Sequence, residues 1–240
     1  MIRTMKNPSR RLFHVSATFI LKTFMRIERE GWRSALKNSA FIIAANHRTY
    51  IDPLIVNAAL GAPLPWIGAS FMQDIPIIRT LSRLAGTVFI ATNGRNSVQK
   101  LLAALDSSSQ HKSIGIFPEG FLPLVDQQPA FPLRPFHRGF AFLSTRLQKP
   151  VLPVTIVPFR EKTAPYPFPI SIRKLLIPHA EFCDLETRVA IRHAKVIFHE
   201  PVNPPPPGAG RAELIYFTDQ VRSIIEAPLT NLQTIGEVLA

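Results

Sequence analysis

Short apolar runs alternate with amphipathic segments along this chain of 240 residues, and this alternation constrains the fold more than any other feature. Strands are predicted at Phe41–Ala45, Trp66–Ala69, Thr87–Ala91, Ser113–Phe117, Val151–Val157 and Lys195–His199. Helices are predicted at Pro53–Leu60, Ile77–Leu84, Ser97–Leu105, Arg138–Leu147 and Arg211–Glu226. Because strands alternate with helices, we predict an α/β domain with a mixed, largely parallel sheet flanked by helices.

The first 38 residues form a basic segment in front of this pattern. They hold nine Lys or Arg residues and two acidic residues, and so carry +7 of the net charge of +12. Bulky apolar residues, among them Leu12, Phe19 and Phe24, recur between the basic ones at helical spacing. We predict a basic amphipathic helical region over residues 1–38 that associates with anionic lipid, followed by one domain at 39–240. The alternative is an ordinary helix packed on the core of that domain.

Composition narrows the class of protein further. The chain is 46% hydrophobic with a mean hydropathy of +0.12, yet no stretch approaches the ~20 apolar residues of a membrane span. Its single cysteine, Cys183, excludes an intrachain disulfide framework and a cysteine-rich zinc site, which favours a reducing compartment. Nucleic acid is disfavoured as a partner, because the sequence has no helix-turn-helix, zinc-finger or RNA-binding aromatic motif.

The run Asn46–Pro53 places a histidine and an aspartate five positions apart, just after a predicted strand. An imidazole beside a carboxylate can take a proton from a hydroxyl, while the carboxylate fixes its tautomer and stabilises the imidazolium. Because the run contains no serine or cysteine, the pattern suggests that the hydroxyl activated by His47 belongs to a substrate. The alternative is structural: Asp52 before Pro53 is typical of a helix N-cap, and His47 is then a hydrogen-bonded loop or core residue.

A second polar group follows a strand at Pro118-Glu119-Gly120. A carboxylate on a tight turn at the carboxyl end of a strand lies where open α/β sheets bind ligands. The alternative is a surface turn, because Pro and Gly are common turn residues. The two runs together are more specific than either alone.

The chain resembles the glycerolipid acyltransferases of the 1-acylglycerol-3-phosphate acyltransferase superfamily. The family's Asn-His-x4-Asp motif is matched by Asn46, His47 and Asp52, and its Phe-Pro-Glu-Gly motif by residues 117–120. Its Gly-x-Ile/Val-Phe-Ile/Val strand is matched by residues 86–90, and its apolar strand with an internal proline by residues 151–154. Arg138-Gly139 matches the basic residue and glycine before the helix that leads to that strand. These motifs occur in the family's order and cover roughly residues 27 to 160.

The resemblance implies transfer of an acyl group from a thioester on CoA or acyl carrier protein to a lysolipid hydroxyl, by default that of 1-acylglycerol-3-phosphate. It implies His47 as general base and Asp52 as its orienting carboxylate, with no metal and no cofactor. Glu119 is expected to position the acceptor headgroup, and backbone N–H groups near the Asn46–Arg48 turn are one interpretation of the oxyanion donors. The expected substrate-binding residues are Asn46, Arg95, Phe117, Pro118, Glu119, Gly120, Phe121, Leu122 and Arg138. The expected location is the cytoplasmic side of a membrane, with the protein peripheral or monotopic.

Two positions depart from the family pattern for phosphate-bearing acceptors. An arginine usually follows the second motif, where this chain has Ala91-Thr92, and Thr-Arg usually follows the third, where it has Phe121-Leu122. Phosphate recognition favours arginine forks, which apolar residues cannot replace. Either other basic residues (Arg95, Arg134, Arg138) hold the phosphate, or the acceptor is a different lysolipid or hydroxylated lipid without it. A non-catalytic lipid-binding relative is a further alternative, against which the retained His47 and Asp52 argue.

Overall fold

Strands alternate with helices in the computed structural model, which describes residues 8–33, 40–74, 76–90, 113–120, 131–166, 169–172 and 186–238. Among these residues the strands are β1 Arg26–Glu30, β2 Ile42–Ala45, β3 Ile67–Ala69, β4 Val88–Ile90, β5 Ile114–Ile116, β6 Val151–Pro165 and β7 Thr187–Phe198. The helices are α1 Pro8–Phe24, α2 Asp52–Leu60, α3 Pro76–Ala85, α4 Gly139–Leu147 and α5 Arg211–Val238, with a 3-10 turn at Ser70–Asp74.

Five of these strands form one sheet in the order β1-β7-β6-β2-β5. Strand β2 is parallel to both β5 and β6, with Ile42 opposite Ile114 and Val151, and β1 is parallel to β7, whereas β6 and β7 are antiparallel. Strands β3 and β4 form a second, parallel pair, which meets β5 through a bridge between Trp66 and Gly115. The predicted mixed, largely parallel sheet flanked by helices is confirmed. The carboxyl ends of β2 and β5 meet at one edge of the sheet.

The core lies on both faces of β2, whose four residues are all buried. Ile43 belongs to the cluster that contains Ile55 of α2, whereas Ile42 belongs to the cluster that contains Phe140 of α4 and Val221 of α5. Successive side chains of a strand point to opposite faces, so a strand covered on both sides is apolar throughout. This burial explains why the continuous apolar run was a reliable strand signal.

Several elements are longer than their sequence patterns indicated. Strand β6 continues to Pro165, with register shifts beside Pro158, and β7 begins at Thr187, where only Lys195–His199 was predicted. The charged residues of the outer half of this hairpin conceal its strand character, because that half is only partly buried. Helix α5 runs through Pro228 to Val238, beyond the predicted end at Glu226. The predicted helix at 97–105 lies outside the described residues.

The N-terminal segment is not helical throughout. Helix α1 ends at Phe24, and Arg26–Glu30 forms the edge strand β1, so the prediction of a helical region over residues 1–38 is wrong there. Four of the five residues of β1 are charged, so its sequence resembles that of the polar face of a helix. Within the described ranges, no helix is both long enough and apolar enough to cross a bilayer.

Candidate active site

The turn between β2 and α2 brings His47 and Asp52 together at the carboxyl edge of the sheet. Asp52 Oδ2 lies 2.9 Å from His47 Nδ1, and the carboxylate is fully buried. Asp52 also accepts hydrogen bonds from the N–H groups of Arg48 and Thr49 and, at 2.6 Å, from the Thr49 hydroxyl. These four donors satisfy a buried carboxylate. The Nδ1–H tautomer that this contact favours leaves the lone pair of His47 on Nε2.

The capping alternative for Asp52 is wrong. Helix α2 begins at Asp52, its N-cap residue is Ile51, and no side-chain hydrogen bond caps the helix. The carboxylate instead binds the two N–H groups that precede the helix. Asp52 therefore organises the turn that carries His47.

A partly buried ion pair adjoins this turn. The Arg48 side chain is 5% exposed, and its Nε donates to Glu161 Oε2 at 2.9 Å while its Nη2 donates to Oε1. Glu161 belongs to β6, in the outer part of the β6–β7 hairpin. The planar fork of a guanidinium suits this two-point contact, which ties the hairpin to the residue after His47.

Asn46 has a structural role in the site, and its predicted role in substrate binding stays a prediction. Its Nδ2 donates to the carbonyl of Ile156 at 3.0 Å, and its Oδ1 accepts the N–H of Ile156 at 2.7 Å. The side chain is buried, and both ends of the amide are engaged. Asn46 therefore fixes the end of β2 against β6.

Glu119 also has its two oxygens occupied by the protein. Oε1 accepts the N–H of His47 and Oε2 accepts the N–H of Arg134, both at 2.9 Å, and the residue is 2% exposed. Burial raises the pKa of the Glu119 carboxyl, and the two backbone donors oppose this rise. Glu119 therefore joins the backbone of His47 to the segment around Arg134, and its contact with the acceptor headgroup stays a prediction.

Helix α5 anchors the same segment, through residues that the sequence reasoning missed. The N–H of Leu133 donates to Glu226 Oε1 at 3.1 Å, and Arg222 Nη2 donates to the carbonyl of Leu133 at 2.9 Å. Glu226 and Arg222 are also paired with each other. Their spacing of four residues on a predicted helix was a visible signal, but it did not reveal the partner on a distant segment.

The interpretation of the turn N–H groups as oxyanion donors is wrong for His47 and Arg48. The N–H of His47 is bound by Glu119, and those of Arg48 and Thr49 are bound by Asp52. Each of these groups stabilises the turn itself.

The remaining predicted residues divide between the site and its surroundings. Phe117 stacks on the His47 ring, with centroids 4.0 Å apart and planes 13° from parallel. The Pro118 carbonyl accepts the N–H of His137 at 2.8 Å, and Gly120 has φ +70°, a conformation that favours glycine. Arg138 is exposed and lines an open groove of about 510 Å³ together with Gly139, Phe142, Arg211 and Leu214. Arg95, Phe121 and Leu122 lie outside the described residues.

The described atoms offer one reactive group at this edge. The Nε2 of His47 can accept a proton, and the buried Asp52 carboxylate can stabilise the imidazolium that results. In the described parts of the chain, no three His, Cys, Asp or Glu side chains converge in a way that could hold a metal ion.

Comparison with known proteins assigns this architecture to a family. A family model described as Acyltransferase matches residues 26–157, more than half of the chain. The 1-acyl-sn-glycerol-3-phosphate acyltransferase of Borreliella burgdorferi is 26% identical over 127 residues, covering 52% of this chain and 49% of that protein. A probable 1-acyl-sn-glycerol-3-phosphate acyltransferase of Mycoplasma pneumoniae is 28% identical over 127 residues, covering 49% of this chain and 44% of that protein. The chain spans about half the length of the curated relatives it matches.

A solved structure shares the fold. The crystal structure of the 1-acyl-sn-glycerophosphate (LPA) acyltransferase PlsC from Thermotoga maritima superposes with a TM-score of 0.62 and 19% identity, covering 95% of this chain and 84% of that one. The family match includes β1, which the sequence prediction had assigned to the N-terminal helical region, and extends to Val157 of β6. The chain belongs to the acyltransferase family.

Proposed function

We propose that this protein is an O-acyltransferase that moves a fatty acyl group from a thioester donor to a hydroxyl of a lysolipid. The observation that carries this proposal is the His47–Asp52 contact of 2.9 Å, in which a buried carboxylate holds Nδ1 and leaves Nε2 as the base. Membership of the acyltransferase family supports the reaction class.

The mechanism uses His47 twice. Its Nε2 takes the proton of the acceptor hydroxyl as the oxygen attacks the thioester carbonyl, forming a tetrahedral oxyanion. Collapse of this intermediate breaks the C–S bond, and the imidazolium returns its proton to the leaving thiolate. Asp52 stays ionised throughout and stabilises the imidazolium. No acyl-enzyme forms in this sequence of steps.

The proposed acceptor is 1-acylglycerol-3-phosphate, because two relatives carry the name 1-acyl-sn-glycerol-3-phosphate acyltransferase. A different lysolipid is the alternative, since Ala91-Thr92 and Phe121-Leu122 replace the family's arginine positions. The donor is acyl-CoA or acyl carrier protein, and a chain with 28 basic and 16 acidic residues suits either anionic donor.

We further propose that the reaction occurs at the cytoplasmic surface of a membrane, to which α1 binds. Leu12, Phe19 and Phe24 of this helix are all more than half exposed, and Phe19 is 73% exposed. Arg11 and Lys22 are exposed on the same helix. An exposed apolar surface flanked by basic residues is typical of helices that lie on anionic lipid.

A thioester-release assay with purified protein tests the chemistry. Acyl-CoA and acyl carrier protein are each combined with 1-acylglycerol-3-phosphate and with a panel of other lysolipids. His47→Ala is expected to lower turnover about 10²–10⁴-fold. Near-normal turnover of a folded His47→Ala variant would exclude His47 as the base, and release stimulated only by another lysolipid would reassign the acceptor.

Vesicle sedimentation tests membrane binding separately. Phe19→Ser is expected to weaken binding to vesicles that contain anionic phospholipid, because it removes an exposed aromatic side chain from α1. Tyr216→Ser is the matched control, since Tyr216 of α5 is also 73% exposed. Equal binding by both variants and the unaltered protein would argue against α1 as the membrane contact.

A further inference from the structure

Three aromatic rings form a continuous stack that ends at the proposed general base. The His47 and Phe117 rings are 4.0 Å apart between centroids, with planes 13° from parallel. The Phe117 and Trp66 rings follow at 4.4 Å and 9°. The stack connects the turn after β2, the end of β5 and the start of β3, so it crosses the edge of the sheet where the site lies.

The far end of this stack is held by specific contacts. Trp66 is buried, and its Nε1–H donates to Asn57 Oδ1 at 3.1 Å, while Asn57 Nδ2 donates to the carbonyl of Leu64 at 3.3 Å. The indole lies directly over Gly115 of β5, where a Cβ would come within 2.5 Å of it. A glycine inside a strand often marks such a close approach. Gly115 thus leaves the space that the indole occupies.

The stack constrains a motion that the Asp52 contact leaves open. A single hydrogen bond to Nδ1 fixes one point of the imidazole, but the ring can still tilt about the Nδ1–Oδ2 line. A second ring that lies flat on its face restricts this tilt and therefore fixes the direction of the Nε2 lone pair. Proton transfer depends on this direction.

The stack also discriminates between the two protonation states of His47. The face of a phenyl ring carries negative potential and attracts a cation placed over it. A neutral imidazole gains little from this attraction, whereas the imidazolium formed during proton transfer gains more. An interaction that is stronger in the charged state lowers the barrier to the step that creates that state.

We propose that Phe117, supported by Trp66, is a positioning residue that fixes the plane of the His47 ring and stabilises its imidazolium form. The catalytic part of this inference rests on the proposed acyltransferase function, whereas the effect on His47 itself can be measured without any substrate. The motif around Phe117 predicts a role in substrate binding, and the stack gives this residue a different role.

Several charged groups lie around His47 besides the Phe117 ring. The Asp52 carboxylate faces Nδ1, Glu119 binds the His47 backbone N–H, and the Arg48–Glu161 ion pair lies beside the turn. Substitutions at Phe117 leave these groups in the chain. A replacement that keeps the ring shape and reverses the charge on its face therefore isolates the effect of the ring contact on His47 titration.

Nuclear magnetic resonance of the full chain, with His47→Gln used to assign the His47 signal among the seven histidines, gives the direct test. Phe117→Leu is expected to move the His47 ring protons downfield, because they lose the ring current of a stacked phenyl group. The pH at which half of His47 is protonated is expected to fall by about 0.4 to 1.5 units, the equivalent of one cation–π contact. Phe117→Tyr keeps a ring in place and is the matched control.

A shape-preserving replacement keeps the inference testable if Phe117→Leu does not fold. Pentafluorophenylalanine at position 117 keeps the packing but reverses the sign of the charge on the ring face, so the His47 titration is again expected to move to lower pH. Trp66→Leu is expected to produce a smaller shift in the same direction, because Phe117 loses its support.

Kinetics supply the second readout. In the thioester-release assay kcat is expected to fall about 2- to 30-fold in Phe117→Leu, with the acceptor KM unchanged. A raised KM with normal kcat would instead assign Phe117 to substrate binding and overturn the inference. The inference would also be overturned if the His47 signals and titration were unchanged in both Phe117→Leu and the pentafluorophenylalanine protein, whatever the activity assay shows.

Discussion

Asn46 exchanges two hydrogen bonds with the main chain of Ile156, and these bonds continue the pairing of β2 with β6 through a side chain. The backbone pairing of the two strands extends to Ala45 opposite Val154. At the next residue the amide of Asn46 replaces a peptide group, so the main chain is released to form the turn that carries His47. A primary amide offers the donor and the acceptor that a peptide unit offers, which explains why this residue type fits here.

Replacing Asn46 should therefore reduce stability and activity together. Asn46→Ala leaves the buried N–H and carbonyl of Ile156 without their partner, and we expect a loss of about 2–5 kcal/mol in the free energy of unfolding. Urea denaturation measures this loss. Asn203→Ala, at an exposed asparagine, is the control and should change stability by less than about 0.5 kcal/mol. A near-neutral Asn46→Ala would show that the two bonds contribute little.

Glu119→Gln should lower kcat without raising the KM of the acceptor. Both carboxylate oxygens accept backbone N–H groups. A glutamine would place its NH₂ group opposite one of these N–H groups, so that two donors face each other. We expect the His47 turn or the Arg134 segment to shift, with a fall in kcat of about 10- to 100-fold from misplacement of the base. Steady-state kinetics at varied acceptor concentration check this outcome. A rise in KM with unchanged kcat would return Glu119 to the headgroup-binding role that the sequence suggested.

The sequence predicted the strands of the core and the His47–Asp52 pair well, because both depend on local patterns. Buried strands such as β2 are continuous apolar runs, and a His and an Asp on one short turn are held close together by the chain itself. Strand β1 was missed for the converse reason. It is a short edge strand with four charged residues, and its pairing with β7 joins positions more than 160 residues apart, such as Arg26 and His193.

The roles of Asn46 and Glu119 could not be read from the sequence because each depends on a distant backbone group. Asn46 binds Ile156, 110 residues away, and Glu119 binds His47, 72 residues away. A motif names a residue type that a site requires, but it does not say whether that side chain faces the substrate or the protein. Gly115 was an available signal for the ring stack, since a glycine within a predicted strand indicates that another group approaches the backbone closely.

Neutralising only one partner of the Arg48–Glu161 pair should reduce the stability of the protein. Glu161→Gln removes the carboxylate charge that binds a guanidinium only 5% exposed, and we expect a loss of about 1–4 kcal/mol in stability. The double variant Arg48→Met/Glu161→Met should recover part of this loss, because it removes both charges. Glu30→Gln, in the more exposed pair with Lys195, is the control and should cost less than about 1 kcal/mol. Urea denaturation of the unaltered protein and the three variants measures these losses. Equal losses in Glu161→Gln and Glu30→Gln would contradict the prediction.

His199 should make the protein less stable in mild acid. Its Nε2 lies 2.8 Å from the Thr155 hydroxyl, which donates its own hydrogen to the carbonyl of Ile225, so Nε2 must carry a proton and donate. Burial lowers the pKa of His199 from the ordinary value of 6.5, and the nearby Glu30 opposes this only in part. As the pH falls below about 6.5, the unfolded chain therefore binds a proton that the folded chain resists, and the free energy of unfolding decreases.

His199→Gln should flatten this dependence, because glutamine keeps an N–H donor for Thr155 but does not titrate. We expect the variant and the unaltered protein to differ in a pH-dependent way between pH 7 and pH 5, with the variant losing less stability over that interval. His14, whose pKa is also lowered by burial, contributes in the same range, so the flattening in the single variant is partial and His14→Gln should extend it. Urea denaturation at a series of pH values provides the measurement. Parallel curves for the unaltered protein and His199→Gln would mean that His199 takes up its proton equally well in the folded and unfolded chains.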